Sequence, residues 1–207
     1  MKALAIIDVQ NDFCPGGALA VARGDEVVAV ANRLSPHFPL VVASQDWHPP
    51  NHGSFAINHP GRQPYELDEL AGLPQVLWPV HCVQGSHGAE FHPDFDRNRV
   101  TRVFQKGTDP QIDSYSAFYD NGRRKATGLA DYLRQQGVTD LTILGLATDY
   151  CVRFTALDGR WLGFNISVVA DGCRAVELVE GDGARALDEM RAAGARVVTS
   201  AELITEF

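Results

Sequence analysis

The sequence predicts an α/β fold in which a six-stranded, mostly parallel sheet lies between two layers of helices. Short apolar runs without polar alternation recur along the chain, as is typical of strands that are buried on both faces. Segments with apolar residues at helical spacing lie between these runs. With 207 residues, of which 45% are hydrophobic, the chain is long enough to enclose one sizeable core. We therefore expect a single domain over residues 1–207.

The predicted strands are apolar runs whose lengths suit strands in the middle of a sheet. They comprise residues 3–8, 40–44, 100–104, 141–146, 166–170 and 195–199.

Three predicted helices carry apolar residues on one face, at spacings close to i, i+3, i+4 and i+7. The stripes consist of Val27, Val30, Ala31 and Leu34, then Ala126, Leu129, Ala130 and Leu133, then Ala186, Leu187, Met190 and Ala193. Asp25 and Asp182 are predicted N-caps, and Gly137 and Gly194 are predicted stop signals. Helices and strands together predict a three-layer α/β/α domain.

One segment, at about residues 47–98, follows neither periodicity and is rich in Pro, Gly, His and Asn. Long irregular segments in compact domains usually carry function. We therefore interpret this segment as an insertion that contributes to a binding site.

Composition and charge exclude several classes of function. The formal net charge is −8 and the basic residues are mostly scattered, so we expect no nucleic-acid partner. Asp8 interrupts the first apolar run too early for a signal peptide, and no segment approaches membrane-spanning length, so we expect a cytoplasmic protein without membrane contact. The four cysteines have no CxxC spacing, which favours reduced thiols. These features are compatible with a homo-oligomer as well as with a monomer.

Four polar residues follow predicted strands and form the first candidate site. Asp8 ends the first strand, Asp46 follows the second, Lys106 follows the third and Cys151 follows the fourth. Ligands of open parallel sheets bind beyond the carboxyl ends of the strands, so these side chains are expected to converge. A thiol, a carboxylate and an ammonium together are the groups that cysteine-based acyl transfer needs.

Cys151 lies where a predicted strand turns into a helix. The N–H groups and dipole of a first helical turn lower the pKa of a thiol and can bind an oxyanion, so we expect a thiolate nucleophile. Taken alone, Cys151 would be interpreted as a buried structural residue. Asp8 could likewise be a turn cap and Lys106 a solvated loop residue, and only their convergence favours catalysis.

A second candidate site combines Asp46 and His48 with the distant His81. An Asp-x-His pair in extended chain directs both side chains to one side, and mixed oxygen and nitrogen ligands suit Zn²⁺, Fe²⁺ or Mn²⁺. We therefore predict one divalent ion per chain. His52 is a provisional fourth ligand or a partner of the ligands. Ordinary hydrogen-bonding loop histidines are the alternative interpretation.

Aromatic side chains near these positions form a third group. Phe13 lies just beyond Asp8, Trp78 shortly precedes the distant histidine, and Tyr115 and Tyr150 flank the predicted thiol site. A flat substrate could lie between such rings, although ordinary core packing is the better explanation for any single aromatic residue.

Five stretches of this sequence resemble the nicotinamidase/pyrazinamidase family, the metal-containing amidases among the isochorismatase-like cysteine hydrolases. The similarity runs over nearly the whole chain, with the motifs in family order. The stretches are residues 8–14, 44–49, 78–85, 106–107 and 145–152.

The resemblance implies hydrolysis of nicotinamide to nicotinate and ammonia, acceptance of pyrazinamide, and a role in NAD salvage. It implies Asp8, Lys106 and Cys151 as catalytic residues and Asp46, His48 and His81 as metal ligands. It further implies a cis peptide bond before Ala147, with the N–H groups of Ala147 and Cys151 forming an oxyanion hole.

The resemblance also implies that the metal binds the pyridine nitrogen and positions the ring between Phe13 and Trp78. Tyr115 is a less secure pocket residue, because the loop that carries it varies in length across the family.

Three other functions compete with this interpretation. Relatives that hydrolyse N-carbamoyl compounds or ureidoacrylate generally lack the metal cluster, so Asp46, His48 and His81 argue against them. Isochorismatase itself cleaves a vinyl ether without a thiol, so Cys151 argues against it. A catalytically silent binding protein on the same scaffold is disfavoured by the complete set of catalytic residues.

Overall fold

The computed structural model describes residues 1–207, and at its centre lies a six-stranded sheet. Every neighbouring pair of strands in this sheet is parallel. In chain order the strands are β1 (Lys2–Ile7), β2 (Val41–Asp46), β3 (Leu67–Leu70), β4 (Leu73–Val76), β5 (Val100–Lys106), β6 (Asp140–Leu146), β7 (Asn165–Arg174) and β8 (Arg196–Val198). The sheet order is β5-β2-β1-β6-β7-β8, and β3 pairs with β4 in a separate antiparallel hairpin.

Helices cover the sheet and complete the predicted three-layer architecture. They are α1 (Glu26–Leu34), α2 (Leu129–Gln135), α3 (Arg153–Trp161), α4 (Asp182–Ala192) and α5 (Ser200–Ile204). α1 contacts α5 and lies against β6 and β7, whereas α3 and α4 pack on each other and against β7 and β8 respectively. None of the helices combines the length and the apolar character that crossing a bilayer requires.

All six strands predicted from apolar runs are present, but three of them are longer than predicted. β2 continues to Asp46, β5 to Lys106 and β7 to Arg174, each through polar residues that an apolar run does not include. The extensions matter because they carry Asp46 and Lys106 on the sheet itself, where the two are paired in register.

Two of the predicted helix boundaries need correction, whereas Asp25 is the N-cap residue of α1 as predicted. α2 begins at Leu129, because Gly128 with φ +90° precedes it, and Ala126 pairs with Tyr119 instead. Asp182 is the first residue of α4, whose N-cap is Gly181. The carboxylate of Asp25 lies at the N-cap of α1 but accepts no capping hydrogen bond there.

The segment at 47–98 contains more regular structure than its sequence suggests. It includes the hairpin of β3 and β4, and its isolated bridges join His48 to Val83 and Phe55 to Trp78. Through these bridges the segment lies close to the carboxyl ends of the central strands, which form the carboxyl edge of the sheet. Here β5, β2, β1 and β6 lie side by side.

Candidate active site

Asp8, Lys106 and Cys151 meet at the carboxyl edge of the sheet, as predicted. The Lys106 ammonium lies 2.9 Å from Asp8 Oδ2 and 3.4 Å from Cys151 Sγ. All three side chains are buried, with residue exposures of 2% for Lys106, 0% for Asp8 and 7% for Cys151. The arrangement places an acid, a cation and a thiol in direct contact away from bulk water.

The Asp8 carboxylate contacts the hydroxyl of Ser44 and the ammonium of Lys106. The Ser44 hydroxyl donates to Oδ1 at 2.7 Å. Oδ2 is close to Lys106 but accepts no hydrogen bond of good geometry, so it keeps a free lone pair. Burial raises the pKa of Asp8, while Lys106 and Ser44 act in the opposite direction. A carboxylate with a raised pKa and a free oxygen is suited to accept a proton from a neighbouring thiol.

Cys151 lies in a π-helical turn, Thr148–Val152, that leads directly from β6 into α3. Burial raises the pKa of this thiol well above its ordinary value, and the nearby Lys106 charge only partly offsets the effect. Desolvation of the sulfur thus opposes the effect that the helix end and the Lys106 charge were expected to have on the pKa of this thiol. Asp8 is the carboxyl group that lies within hydrogen-bonding reach of this thiol.

Lys106 connects this group to the predicted metal ligands. Its ammonium also donates to Asp46 Oδ1 at 2.9 Å and to the Ser114 carbonyl at 2.9 Å. Although burial alone would lower the pKa of Lys106, the carboxylates of Asp46 and Asp8 raise it well above its ordinary value. Lys106 thus lies between two carboxyl groups that favour its charged form.

Asp46, His48 and His81 also converge, with one potential ligand atom from each lying within 4.8 Å of the others. Asp46 Oδ2 is 2.9 Å from His48 Nε2 and 3.4 Å from His81 Nε2. Despite burial, the charges of His48 and Lys106 hold the pKa of Asp46 well below its ordinary value. An ionised carboxylate between two imidazole nitrogens is a donor set that Zn²⁺ and Fe²⁺ accept.

The ring nitrogens that face away from Asp46 are fixed by backbone carbonyls. His48 Nδ1 is 2.9 Å from the Gly107 carbonyl, and His81 Nδ1 is 2.8 Å from the Pro79 carbonyl. Metal-binding histidines commonly donate their second N–H in this way. Gly107 is required at its position, since it has φ +65° and a Cβ there would lie 2.4 Å from the His48 ring. These contacts fit a divalent ion at this cluster.

His52 lies beside the cluster, with its ring centroid 4.2 Å from that of His48. It is not part of the group formed by Asp46, His48 and His81, and is grouped instead with His48 and Asp113. Burial lowers the pKa of His52 to about 4.

A pocket with about 370 Å³ of empty space, part of it open to solvent, opens onto both clusters. Trp78 and Tyr150 form its most compact aromatic pair, with ring centroids 4.8 Å apart and an interplanar angle of 85°. The predicted residues among its lining are Phe13, Asp46, His48, Trp78, His81, Tyr115, Ala147, Tyr150 and Cys151.

Some pocket residues were missed by sequence reasoning. Leu19, Asp113 and Val176 line the cavity, and Gln75 lies behind it. Gln75 Nε2 donates to Asp113 Oδ2 at 3.0 Å and to the Tyr115 hydroxyl at 3.1 Å. None of these residues stands in a motif or directly after a strand of the main sheet, so no sequence pattern pointed to them.

The peptide bond between Leu146 and Ala147 is cis, as the resemblance implied. It lies between the last residue of β6 and the turn that carries Cys151. Ala147 and Cys151 both reach the pocket from this turn. Two residues of one turn that line the same cavity are the starting point for an oxyanion hole.

Comparisons with known proteins agree with this geometry. The isochorismatase domain matches residues 2–202. Escherichia coli nicotinamidase is 54% identical over 181 residues, which cover 86% of this chain and 84% of that protein. The structure of an Acinetobacter baumanii nicotinamidase/pyrazinamidase superposes with a TM-score of 0.95 at 45% identity, covering 98% of this chain and 97% of that one.

A further similar structure contains a metal ion. The pyrazinamidase of Pyrococcus horikoshii in complex with zinc has a TM-score of 0.77 and 36% identity, and the match covers 96% of this chain and 98% of that one. The resemblance predicted from the motifs is thus confirmed over most of the chain. This chain belongs to the isochorismatase family of hydrolases and, within it, to the nicotinamidase/pyrazinamidase branch.

Proposed function

We propose that this protein hydrolyses nicotinamide to nicotinate and ammonia in NAD salvage, and that it accepts pyrazinamide as a second substrate. The observation that carries the proposal is the contact of Cys151, Asp8 and Lys106 at a pocket whose wall also contains Asp46, His48 and His81. The activities of the Escherichia coli and Acinetobacter baumanii relatives support the same substrates.

In the first half of the reaction Cys151 attacks the carboxamide carbon. Asp8 takes the thiol proton through its free Oδ2, and Lys106 stabilises the negative charge that the sulfur and the carboxylate share. The carboxamide oxygen gains the charge of the tetrahedral intermediate and is held by the backbone N–H groups of Ala147 and Cys151, each worth about 3 kcal/mol in such sites. Asp8 then returns the proton to the departing ammonia, and a thioester remains.

In the second half Asp8 acts again as the base. It removes a proton from water while the oxygen attacks the thioester carbonyl, and the C–S bond breaks as the Cys151 thiol recovers its proton. Nicotinic acid leaves and loses its proton to give nicotinate, and both side chains return to their starting protonation states. One water is consumed and one ammonia is released for each nicotinamide.

Asp46, His48 and His81 would hold one divalent ion, Zn²⁺, Fe²⁺ or Mn²⁺, with His52 provisional. The chemistry that such an ion supplies when bound is a Lewis acid for the ring nitrogen of the substrate. Phe13 and Trp78 provide flat surfaces for the ring, and Tyr115 and Tyr150 complete the aromatic wall. The ring nitrogen and the carboxamide would thereby be fixed at opposite ends of the pocket.

Ammonia release from a panel of amides tests this proposal. The panel contains nicotinamide, pyrazinamide, benzamide and an N-carbamoyl amino acid, and the protein is assayed after chelation and after reloading with each ion. We expect turnover of nicotinamide and pyrazinamide by the loaded protein, and poor turnover of benzamide because it lacks a ring nitrogen. Failure on nicotinamide, or a preference for the N-carbamoyl compound, would contradict it.

A further inference from the structure

Asp149 belongs to the turn that carries Cys151, but it does not line the substrate pocket and has no part in the proposed reaction. Its side chain is nevertheless buried, with a residue exposure of 4%. A buried carboxylate is costly unless its oxygens accept hydrogen bonds, so the partners of Asp149 are informative.

Both oxygens of Asp149 accept backbone N–H groups of one loop. The N–H of Val176 donates to Oδ1 and the N–H of Glu177 donates to Oδ2, each at 2.9 Å. The two donors lie in the loop 175–181, which connects β7 to α4. Two parallel hydrogen bonds to one carboxylate fix an orientation as well as a distance. Asp149 therefore links the turn of Cys151 to this loop.

The loop has a conformation that needs such support. Glu177 has φ +57°, in the left-handed region that residues with a side chain rarely adopt. Its own carboxylate accepts the N–H groups of Gly181 and Gly183, at 2.6 Å and 2.9 Å, where α4 begins. Its backbone N–H is the group that donates to Asp149. The start of α4 thus fixes the Glu177 side chain, and Asp149 fixes the Glu177 backbone.

Val176 connects this loop to the substrate pocket. It lines the same cavity as Ala147 and Cys151, which belong to the other side of the link. One carboxylate thus joins the part of the pocket wall that carries the thiol to a part that is apolar. The distance between them matters, because a reacting group has to be held close to its productive position.

We propose that Asp149 is a positioning residue, which holds the turn of Cys151 against the loop 175–181 and so fixes the thiol relative to the pocket wall. This inference rests on the proposed function, in which Cys151 is the nucleophile. Asp149 then acts on kcat through the position of the thiol, and on KM through the position of Val176.

Steady-state kinetics with nicotinamide test both effects. We expect Asp149→Ala to raise KM and to lower kcat by about 100-fold, which is the typical effect of misplacing a reacting group by about 1 Å. Val176→Ala keeps its backbone N–H and changes only the wall. It should raise KM by about tenfold and leave kcat within about threefold of the wild type.

Asp149→Asn is the milder variant, for the case that Asp149→Ala does not fold. It loses one of the two acceptor oxygens, so we expect kcat to fall by about tenfold. A folded Asp149→Ala protein with kcat within about threefold of the wild type would overturn the inference. The same result for Asp149→Asn would overturn it if the alanine variant does not fold.

The matched control is Asp171→Ala. The Asp171 carboxylate accepts hydrogen bonds from the backbone N–H and the hydroxyl of Ser200, and so joins β7 to α5 outside the pocket lining. We expect kcat and KM within about twofold of the wild type. A loss of kcat as large as that of Asp149→Ala would contradict a specific role of Asp149.

Hydrogen exchange tests the link without any turnover. Amide exchange of the wild type and of Asp149→Ala, or Asp149→Asn where the alanine variant does not fold, is followed by mass spectrometry in peptides that cover residues 148–152 and 175–181. We expect exchange in both peptides to be faster by about tenfold in the variant, because each segment loses its hold on the other. Faster exchange in 175–181 alone would overturn the inference.

These outcomes are separable from failure of the proposed function. If the wild type releases no ammonia from nicotinamide, the proposed function is wrong, and the exchange experiment still decides whether Asp149 holds the turn. If the wild type is active and only the 175–181 peptide responds, only the role of Asp149 is wrong.

Discussion

The Lys106 ammonium lies 2.9 Å from Asp46 Oδ1, so the cation beside the thiol is hydrogen-bonded to a carboxylate of the proposed metal site. The same ammonium lies 2.9 Å from Asp8. Two groups that the sequence presents as separate motifs are therefore one buried network of alternating charges. Removal of the Lys106 charge should therefore affect both Asp8 and Asp46.

Replacement of Lys106 by methionine tests this coupling. The variant keeps most of the length of the side chain but leaves Asp8 and Asp46 buried without the cation that they share. We expect the free energy of unfolding to fall by about 3–5 kcal/mol, as measured by urea denaturation. The exposed Lys125→Met is the control and should lie within about 0.5 kcal/mol of the wild type. A Lys106→Met variant of wild-type stability would contradict the network.

Ser44→Ala should change the pH dependence of turnover. The Ser44 hydroxyl bonds to Asp8 and lowers its pKa. Removal of this hydroxyl should raise the pKa of Asp8. Because Asp8 must be ionised to act as a base, the acid limb of the pH profile, where activity falls as the pH is lowered, should move to higher pH. The measurement is kcat/KM for nicotinamide against pH.

The matched control for this experiment is Ser35→Ala, which removes a buried hydroxyl bonded to the Ala31 carbonyl. Its acid limb should coincide with that of the wild type. An acid limb that moves to lower pH in Ser44→Ala would be inconsistent with Asp8 as the base.

Tyr115→Phe should weaken the aromatic wall. The Tyr115 hydroxyl accepts hydrogen bonds from Trp78 Nε1 and from Gln75 Nε2, both at 3.1 Å. Without it the indole N–H loses its partner, which costs about 1–3 kcal/mol of stability. We expect KM for nicotinamide to rise by about tenfold, and kcat to change less. Tyr132→Phe, at a ring that packs on Phe104, is the control and should leave KM unchanged.

Metal removal should lower thermal stability. An ion that binds only the folded protein stabilises it by about 2.7 kcal/mol at a concentration 100 times its Kd. After chelation we expect Tm to fall, and to rise again with added Zn²⁺ in a concentration-dependent manner. The His81→Gln variant should respond less. A Tm of the wild type that does not depend on Zn²⁺ would speak against the site.

The sheet could be predicted because strands buried on both faces are continuous apolar runs. The hairpin could not, since β3 and β4 contain Asp68, Glu69 and Pro74 and lie partly exposed, so that neither an apolar run nor an alternation marks them. The polar ends of β2, β5 and β7 were missed for a related reason, because pairing with a neighbour extends a strand beyond its apolar residues.

The candidate site was predictable where a residue follows a strand, as Asp8 and Cys151 do, because strand ends of a parallel sheet meet at one edge. Asp113 lies in a loop and Gln75 lies on β4 of the hairpin. Their positions near the pocket depend on how these segments pack, which cannot be predicted from a short motif. The direction in which the pKa of Cys151 is shifted could not be predicted from the sequence either, because it depends on burial and on the distances to Lys106 and Asp8.

Cysteine substitution tests the central claim most directly. Ammonia release from nicotinamide is measured for metal-loaded wild type, Cys151→Ala and Cys173→Ala, where Cys173 is a buried cysteine on β7 outside the pocket lining. We predict turnover by the wild type and Cys173→Ala, and at least about 10⁴-fold less by Cys151→Ala, since the loss of a nucleophile leaves little beyond binding and the oxyanion hole. Turnover by Cys151→Ala within tenfold of the wild type would contradict Cys151 as the nucleophile.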